Sequence, residues 1–363
     1  MITELRLQHF RSYDDVLFTV DNGVNIIIGP NASGKTNLLE AVLLIARGSS
    51  YRAGDAELVQ FDAAWARVDA KTLQGARVVK IQRLDDYKYA KSFEIDGHAL
   101  ARLLQNRTLP VTLFEPNHLL LLSGSPELRR SFLDDLIEQT VPTYASTRRH
   151  YRRVLAQRNA LLKKQPPGFG EQLFVWNLRL SELGGRIATE RHALVARFDA
   201  RMSALYGELS GHRGHRIELT YRSQFPVQQY ETALLRKLES SLEHDIFRGF
   251  TAYGPHRDDL GVSIDGHPAE ESASRGETRT LVLALKMLEL YLLEEIRAVK
   301  PILLLDDVFS ELDSKRRQAL TRFVAEYQTF ITTTDADVAE YFSHSSTIRV
   351  HKSDSRGRTP KSV

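Results

Sequence analysis

The sequence predicts an α/β fold whose chain is interrupted by an inserted α-helical lobe. Three observations carry this expectation. The run Val24–Ile28, aliphatic but for Asn25, leads into the glycine-containing stretch 29–36, and an apolar helical pattern follows at once. Residues 302–305 are all aliphatic and end on Asp306 and Asp307. Strands buried on both faces of a parallel sheet read as such continuous runs. Between these two runs the texture changes at Ser125, beyond which apolar residues recur at helical spacing.

The elements follow in chain order. Residues 3–9 alternate as a half-buried strand. Residues 37–47 are apolar on most faces and stop before Gly48, as a buried helix with a glycine cap does. Residues 67–71, 77–83 and 92–95 read as antiparallel strands, and Asp96-Gly97 suits a two-residue hairpin. Ser125-Pro126-Glu127 combines an N-cap hydroxyl, a proline at the first helical position and an early acid. Helical patterning runs to about Tyr206, broken at Val141-Pro142 and at 165–170. Within it Leu173, Trp176, Leu180, Leu183, Ile187, Leu194, Phe198 and Leu205 form a seam suited to one partner helix. The expected partner is 144–162, folded back through the proline-glycine loop. Residues 259–264 alternate, Asp265-Gly266 is a second hairpin turn, 277–296 is a long helix and 329–333 a further strand. The expected organisation is an α/β domain in two halves, 1–124 and 249–350. A helical lobe, 125–248, lies between them, and a flexible basic tail, 351–363, follows.

Composition narrows the chemistry. With 363 residues and 42% hydrophobic content the chain can bury a large core. It has no cysteine, which excludes disulfides, thiolate metal sites and cysteine catalysis. Its 12 histidines include no H-x-x-x-H pair, so a zinc site is not indicated. No apolar run reaches the ~18 residues of a membrane helix, and 281–293 is broken by Lys286 and Glu289. Residues 1–15 lack a leader's apolar core. The expectation is a soluble cytoplasmic protein with no membrane partner.

Gly29-Pro30-Asn31-Ala32-Ser33-Gly34-Lys35-Thr36 fits G-x-x-x-x-G-K-[ST], and it leaves a strand and opens a helix as a phosphate-binding loop must. Backbone N–H groups and the helix N-terminus would cradle ATP phosphates. Lys35 would reach the β- and γ-phosphates, and the Thr36 hydroxyl would sit on Mg²⁺. Asp306, delivered from the end of a buried strand, would bind Mg²⁺ directly or through water. Asp307 could position or deprotonate the attacking water. Ser274-Arg275-Gly276-Glu277 opens the long helix, where serine and glycine can cap the helix or bind an anion. Ser310-Glu311-Leu312-Asp313 follows the two acids as a polar turn. The order of these motifs is that of an ABC-type ATPase head, in which two subunits sandwich ATP.

On these residues the chain resembles the RecF family, related to the SMC and double-strand-break-repair ATPases. Phe10-Arg11-Ser12-Tyr13 resembles its F-R-N-Y, and Lys35-Thr36-Asn37-Leu38-Leu39-Glu40-Ala41 its K-T-N-L-L-E-A. Arg129-Arg130 with Phe132-Leu133-Asp134 resembles R-R-x-F-L-D, and Gly254-Pro255-His256-Arg257-Asp258-Asp259 resembles G-P-H-R-D-D. The stretch 304–313 resembles the family's second acidic motif. The resemblance implies a weak, DNA-dependent ATPase of damage repair. It also implies an ATP-dependent homodimer that clamps gapped DNA and single-strand/double-strand junctions. With RecR and RecO such a protein helps RecA displace single-strand-binding protein. Ser274 and Gly276 would contact ATP held by the partner subunit. Arg11 would lie near the nucleotide, or it is a surface arginine on an edge strand. His256, Arg257 and Asp258 form either a structural turn or part of a site. Arg275 stands where a glycine is usual, Glu277 where glutamine is, Thr334 where a histidine is, and Asp307 where glutamate is commoner. The last two departures imply slow hydrolysis.

Positions 139–170 carry no acid. They do carry Arg148, Arg149, Arg152, Arg153 and Arg158, then Lys163 and Lys164. On a helix the first four form a one-sided strip able to neutralise DNA phosphates, or a solvated coiled-coil face. Aromatic residues are sparse there, so base stacking on single-stranded DNA is not indicated. Residues 126–216 hold 16 Lys+Arg and 9 Asp+Glu, so a basic lobe hides within a chain of formal charge +3. The rival readings are a transporter's nucleotide-binding subunit and a P-loop kinase of small substrates.

Overall fold

The computed structural model describes residues 1–212 and 214–351, so the expected tail lies outside the described residues beyond His351. The chain forms two compact units, 1–118 with the residues from 289 onward, and 119–288.

The first unit is built on two sheets. Its parallel sheet has the strand order Ser345–Arg349, Val24–Ile28, Thr329–Thr333, Ile302–Asp306, Val111–Phe114. Val24 to Ile27 and Ile302 to Leu305 are buried throughout, which accounts for their apolar character. The one polar member, Asn25, is fully buried, and its amide bonds back to the Asp21 N–H at 2.7 Å and the Asp21 carbonyl at 2.9 Å. A six-stranded antiparallel sheet begins with Tyr13–Thr19 and Ile2–Phe10, and continues through Trp65–Thr72 to Gly75–Arg83, Tyr89–Ile95 and His98–Leu100. Asp96 and Gly97 take left-handed φ values of 50° and 78°, as the two-residue hairpin requires. The helix Lys35–Arg47 fills the core with Leu38, Leu39, Val42 and Leu44, all fully buried. It ends at Gly48, whose φ of 78° lets its N–H reach the Leu44 carbonyl.

The second unit contains the expected helix pair. Tyr144–Lys164 packs on Phe169–Ser210, a single helix of 42 residues. Arg158 bonds to Asn177 while Tyr151 lies beside Gly184, so residue numbers rise on one helix as they fall on the other. Of the seam residues, Leu173, Leu180, Leu183, Ile187, Leu194, Phe198 and Leu205 are buried, as expected, whereas Trp176 is only partly buried and its neighbour Asn177, bonded to Arg158, takes the buried position.

The unit also holds a small antiparallel sheet, Ile217–Arg222, Asp259–Ile264 and His267–Pro268. Asp259 pairs with Arg222 and Ile264 with Ile217. That pairing ties residues beyond 248 into the same unit as the helices, so the expected boundary at 248/249 falls inside it. The I-E-L-T-Y-R alternation of Ile217–Arg222 is the sequence signal for this strand.

Candidate nucleotide site and nucleic-acid face

The loop 29–36 leaves the carboxyl end of a central parallel strand, the usual place for a ligand crevice in such sheets. Ala32 and Gly34 adopt left-handed φ values of 61° and 101°, which turns successive N–H groups toward one concavity. A Cβ at Gly34 would lie 2.8 Å from Ser12 Oγ, and one at Gly29 would lie 2.3 Å from the Val350 carbonyl oxygen. Both positions are closed to side chains. The Lys35 ammonium donates to the carbonyls of Gly29 at 2.8 Å and Pro30 at 3.0 Å, so it is held across the loop. Burial lowers its pKa, opposed by Asp307 and Asp306.

Asp306 gathers three hydroxyls. Thr36 and Thr332 donate to Oδ1 at 3.1 and 2.7 Å, and Tyr51 donates to Oδ2 at 3.1 Å. Sequence reasoning pairs Thr36 with Asp306, and the parallel sheet brings them together across 270 residues. It misses Thr332, which the parallel pairing of Thr329–Thr333 with Ile302–Asp306 sets beside Asp306, and Tyr51, which comes from the loop after the helix Lys35–Arg47. Among the described residues no group of three or more His, Cys, Asp or Glu side chains is placed to hold a metal ion on its own. One carboxylate and one hydroxyl, with phosphate oxygens completing the set, is the hard-oxygen arrangement that suits Mg²⁺.

Asp307 turns away from the strand with a φ of 53°, fixed by its N–H, which donates to Thr332 Oγ1 at 3.0 Å. Its Oδ1 and the Ser33 hydroxyl are buried without a hydrogen-bond partner among the described residues. Such orphaned oxygens point to a bound polar group. Burial raises the Asp307 carboxyl above the ordinary aspartate value, and Lys35 opposes the shift. A carboxylate with a raised pKa beside a phosphate loop is suited to handle a proton.

Arg11 joins this site through Glu40. Arg11 Nε and Nη2 donate to the two Glu40 oxygens at 3.0 and 2.9 Å, Ser50 donates to Oε1 at 2.6 Å and Arg52 to Oε2 at 3.1 Å. Burial opposes ionisation of Glu40, but bonds from Arg11, Ser50 and Arg52 outweigh it and hold the carboxyl below the ordinary glutamate value. Two arginines on one fully buried carboxylate leave one net positive charge next to the phosphate-loop helix. Glu40 and Arg52 also escape the sequence reading, because a charged residue on an apolar helix gives no hint of its partners.

Ser274 and Gly276 belong to the second unit, at the start of the helix Arg275–Arg297. Ser274 N–H donates to Glu277 Oε2 at 2.8 Å and Glu277 N–H to Ser274 Oγ at 3.3 Å, a reciprocal capping box. Glutamate in place of the usual glutamine therefore has a local role. Thr334 is exposed beside Asp335, which accepts from the Asp337 N–H at 2.9 Å.

The basic strip divides in two. Arg149, Arg152 and Arg153 are exposed, and among the described residues none has an acidic partner. At 100° per residue they share one face of Tyr144–Lys164 with Lys163 and Lys164. Arg158 does not belong to that strip. It is 0% exposed and bonds to Asp245 at 2.7 Å, Thr251 at 2.7 Å and Asn177 at 2.7 Å. Its position, four residues after buried Val154 and four before buried Leu162, is on the apolar seam, a signal the charge count obscures. Arg148 is likewise withdrawn. It pairs with Asp134 at 2.9 Å and Glu138 at 2.8 Å, acids from the preceding helix Pro126–Thr140. An acid-free stretch of sequence is not acid-free in space.

Comparisons agree with this architecture. Residues 1–356 match the family described as the RecF/RecN/SMC N terminal domain. The DNA replication and repair protein RecF of Heliobacterium modesticaldum is 36% identical over 343 residues, covering 92% of each chain. That of a Synechococcus species is 38% identical, covering 91% of this chain and 90% of its own. Among solved structures, the recombination mediator protein RecF with ATPrS, of the RecFOR pathway, superposes with a TM-score of 0.85. It is 29% identical, with 97% of this chain and 98% of that one covered. The RecF–ATP structure gives 0.80 at 30% identity, with 92% of each chain covered. An Smc head bound to a winged-helix domain of ScpA, 14% identical at a TM-score of 0.55, shares the fold over 95% of this chain. Sequence and architecture thus agree along almost the whole length, and the chain belongs to the RecF family of ABC-type ATPase heads.

Proposed function

We propose that this chain is an ATP-dependent DNA-binding protein of replication and repair, with ATP acting as a dimerisation switch and hydrolysis slow. The observation that carries the reading is the pair of buried, unpartnered oxygens, Ser33 Oγ and Asp307 Oδ1, beside Lys35, Thr36 and Asp306. The loop 29–36 binds the phosphates, and Lys35 exchanges its loop carbonyls for phosphate oxygens. Thr36 and Asp306 hold Mg²⁺, with Thr332 and Tyr51 orienting the carboxylate. When bound there, the ion would supply neutralisation of phosphate charge. Asp307 orients the attacking water and takes its proton. Ser274 and Gly276 cover the γ-phosphate of a second copy, which makes two ATP molecules the adhesive of a homodimer. Arg149, Arg152 and Arg153 supply phosphate contacts to DNA.

Membership in the RecF family, and the pathway named for its solved relatives, supports a place in the cytoplasm at gapped DNA and single-strand/double-strand junctions. There the protein would work with RecR and RecO to load the RecA recombinase. Light scattering with and without ATP and Mg²⁺, in the presence of DNA, tests the switch. A shift from monomer to dimer is expected, and a persistent monomer overturns it.

A further inference from the structure

The Gly-Pro-His-Arg-Asp turn is bolted to the core of the second unit at almost every residue. A Cβ at Gly254, whose φ is 131°, would lie 2.6 Å from Tyr151 Oη. Arg191 donates to the Pro255 carbonyl at 2.6 Å. His256 bonds Tyr151 Oη through Nδ1 at 2.7 Å and the Thr251 carbonyl through Nε2 at 3.1 Å. Its burial pushes the imidazole down to about 4, so the ring is neutral and structural at physiological pH. Asp258 Oδ2 accepts from Tyr221 at 2.7 Å and Tyr230 at 2.8 Å, and the Asp258 carbonyl accepts from Arg130 at 2.9 Å. Arg257 is the member of the turn that these bonds leave unclamped.

Arg257 has no carboxylate partner among the described residues. Its guanidinium lies 5.1 Å from the centroid of the Phe250 ring, and that of Arg248 lies 6.0 Å from the same centroid. The ring fixes two like charges without neutralising either. This cluster adjoins the basic strip. A Cβ at Gly249, between Arg248 and Phe250, would sit 3.5 Å from Cγ of Lys163, the strip's penultimate cation. The buried Arg158–Asp245 pair, with Thr251 on the same guanidinium nitrogen, locks the two elements together. The strip from Arg149 to Lys163 spans about 21 Å at 1.5 Å per residue. Against ~3.4 Å per phosphate along one strand, that is room for several contacts.

We propose that Arg257 and Arg248, mounted on Phe250, form a preorganised strand-phosphate site that extends the Arg149–Lys163 track. The inference rests on the DNA-binding reading above and adds a second, sequence-distant contact to it. A rigid turn that presents one unpaired guanidinium lowers the ordering cost of each phosphate contact. The same chemistry would accept a free phosphate or a nucleotide, and the test separates these.

The experiment compares the full-length protein with the Arg248→Ala/Arg257→Ala variant. Affinity for a duplex is read by fluorescence anisotropy from about 50 to 200 mM salt, with ATP and Mg²⁺ present. Removing two phosphate-neutralising cations should flatten the log–log salt slope by about 2 and weaken binding at every sequence. Equal slopes with an unchanged melting temperature overturn the proposal. Inorganic phosphate or excess ATP that protects the wild type from DNA binding, with no change in the variant's slope, also overturns it in favour of a free-phosphate site. If the wild type binds no DNA under any condition, the failure lies in the DNA-binding reading itself. Arg248→Ala/Arg257→Lys should recover about half of the lost slope, because it returns one of the two charges.

Discussion

The Tyr51 hydroxyl donates to Asp306 Oδ2 at 3.1 Å, across 255 residues of sequence. Of the three hydroxyls on this carboxylate it is the one that reaches Oδ2, since Thr36 and Thr332 share Oδ1. Burial, with the Asp306 charge next, raises the pKa of Tyr51 beyond the usual tyrosine range, so it acts as a donor at any working pH. Tyr51→Phe removes that donor and nothing else. The Mg²⁺ concentration needed for half-maximal ATP binding should rise about tenfold, in line with partners that orient a metal ligand. Calorimetric ATP titrations at several Mg²⁺ concentrations measure it. An unchanged requirement removes Tyr51 from the positioning role.

Asp307 carries a pH prediction. Its folded pKa lies above the ordinary aspartate value because burial penalises the charged form. As pH falls through that raised value the residue takes up a proton and ceases to be a base. The acid limb of the ATP hydrolysis profile should therefore sit above the normal aspartate range. In Asp307→Asn the limb should vanish and turnover should drop by about 10² or more, with ATP affinity retained. The same shift has a stability sign. A carboxyl that holds its proton more tightly when folded loses stability as pH rises from its unfolded pKa to its folded one. Asp307→Asn should thus melt no lower than the wild type at neutral pH. A variant with normal turnover leaves Asp307 without a catalytic role.

Lys35→Ala removes the ammonium that spans the loop to the carbonyls of Gly29 and Pro30. ATP binding should fall below detection in equilibrium dialysis, with little change in thermal stability. Retained nucleotide affinity would contradict the loop assignment. Gly29→Ala should fail in a different way. Its Cβ would meet the Val350 carbonyl at 2.3 Å and Ser33 Oγ at 2.6 Å, so loop distortion should appear as lost stability as well as lost binding.

What local physics dictates is legible in the sequence. Val24–Ile28 and Ile302–Asp306 can be read because both faces of each strand are buried. The 29–36 loop can be read because its spacing is a mechanical requirement of holding phosphate. By contrast, Ser345–Arg349 is an edge strand with only Ile348 buried, so it carries no apolar run to read. Glu40 sits 0% exposed on an apolar helix, and its bonds to Arg11 and Arg52 depend on loops that the sequence leaves unplaced. Arg257 reads like any turn residue until the fold shows its neighbours' side chains clamped while its own, set against Phe250, has no carboxylate partner among the described residues.

Arg158 and Arg149 are nine residues apart on one helix and make opposite predictions. Arg158 and Asp245 are both 0% exposed and joined at 2.7 Å. Removing one partner strands a buried charge, so Arg158→Met should cost about 3–5 kcal/mol in chemical denaturation. The double change Arg158→Met/Asp245→Leu strands no charge and should recover much of that loss. Neither should alter the salt slope of DNA binding under conditions where the protein is folded. Arg149, Arg152 and Arg153 are exposed and carry no acidic partner among the described residues. Changing all three to glutamine should alter stability by no more than about 0.5 kcal/mol per site. It should also reduce the duplex salt slope by about 0.9 for each phosphate no longer neutralised. If the triple variant keeps the full slope, this face of the helix is merely solvated. If Arg158→Met flattens the slope while folded, the buried arrangement of Arg158 is not the one that meets DNA.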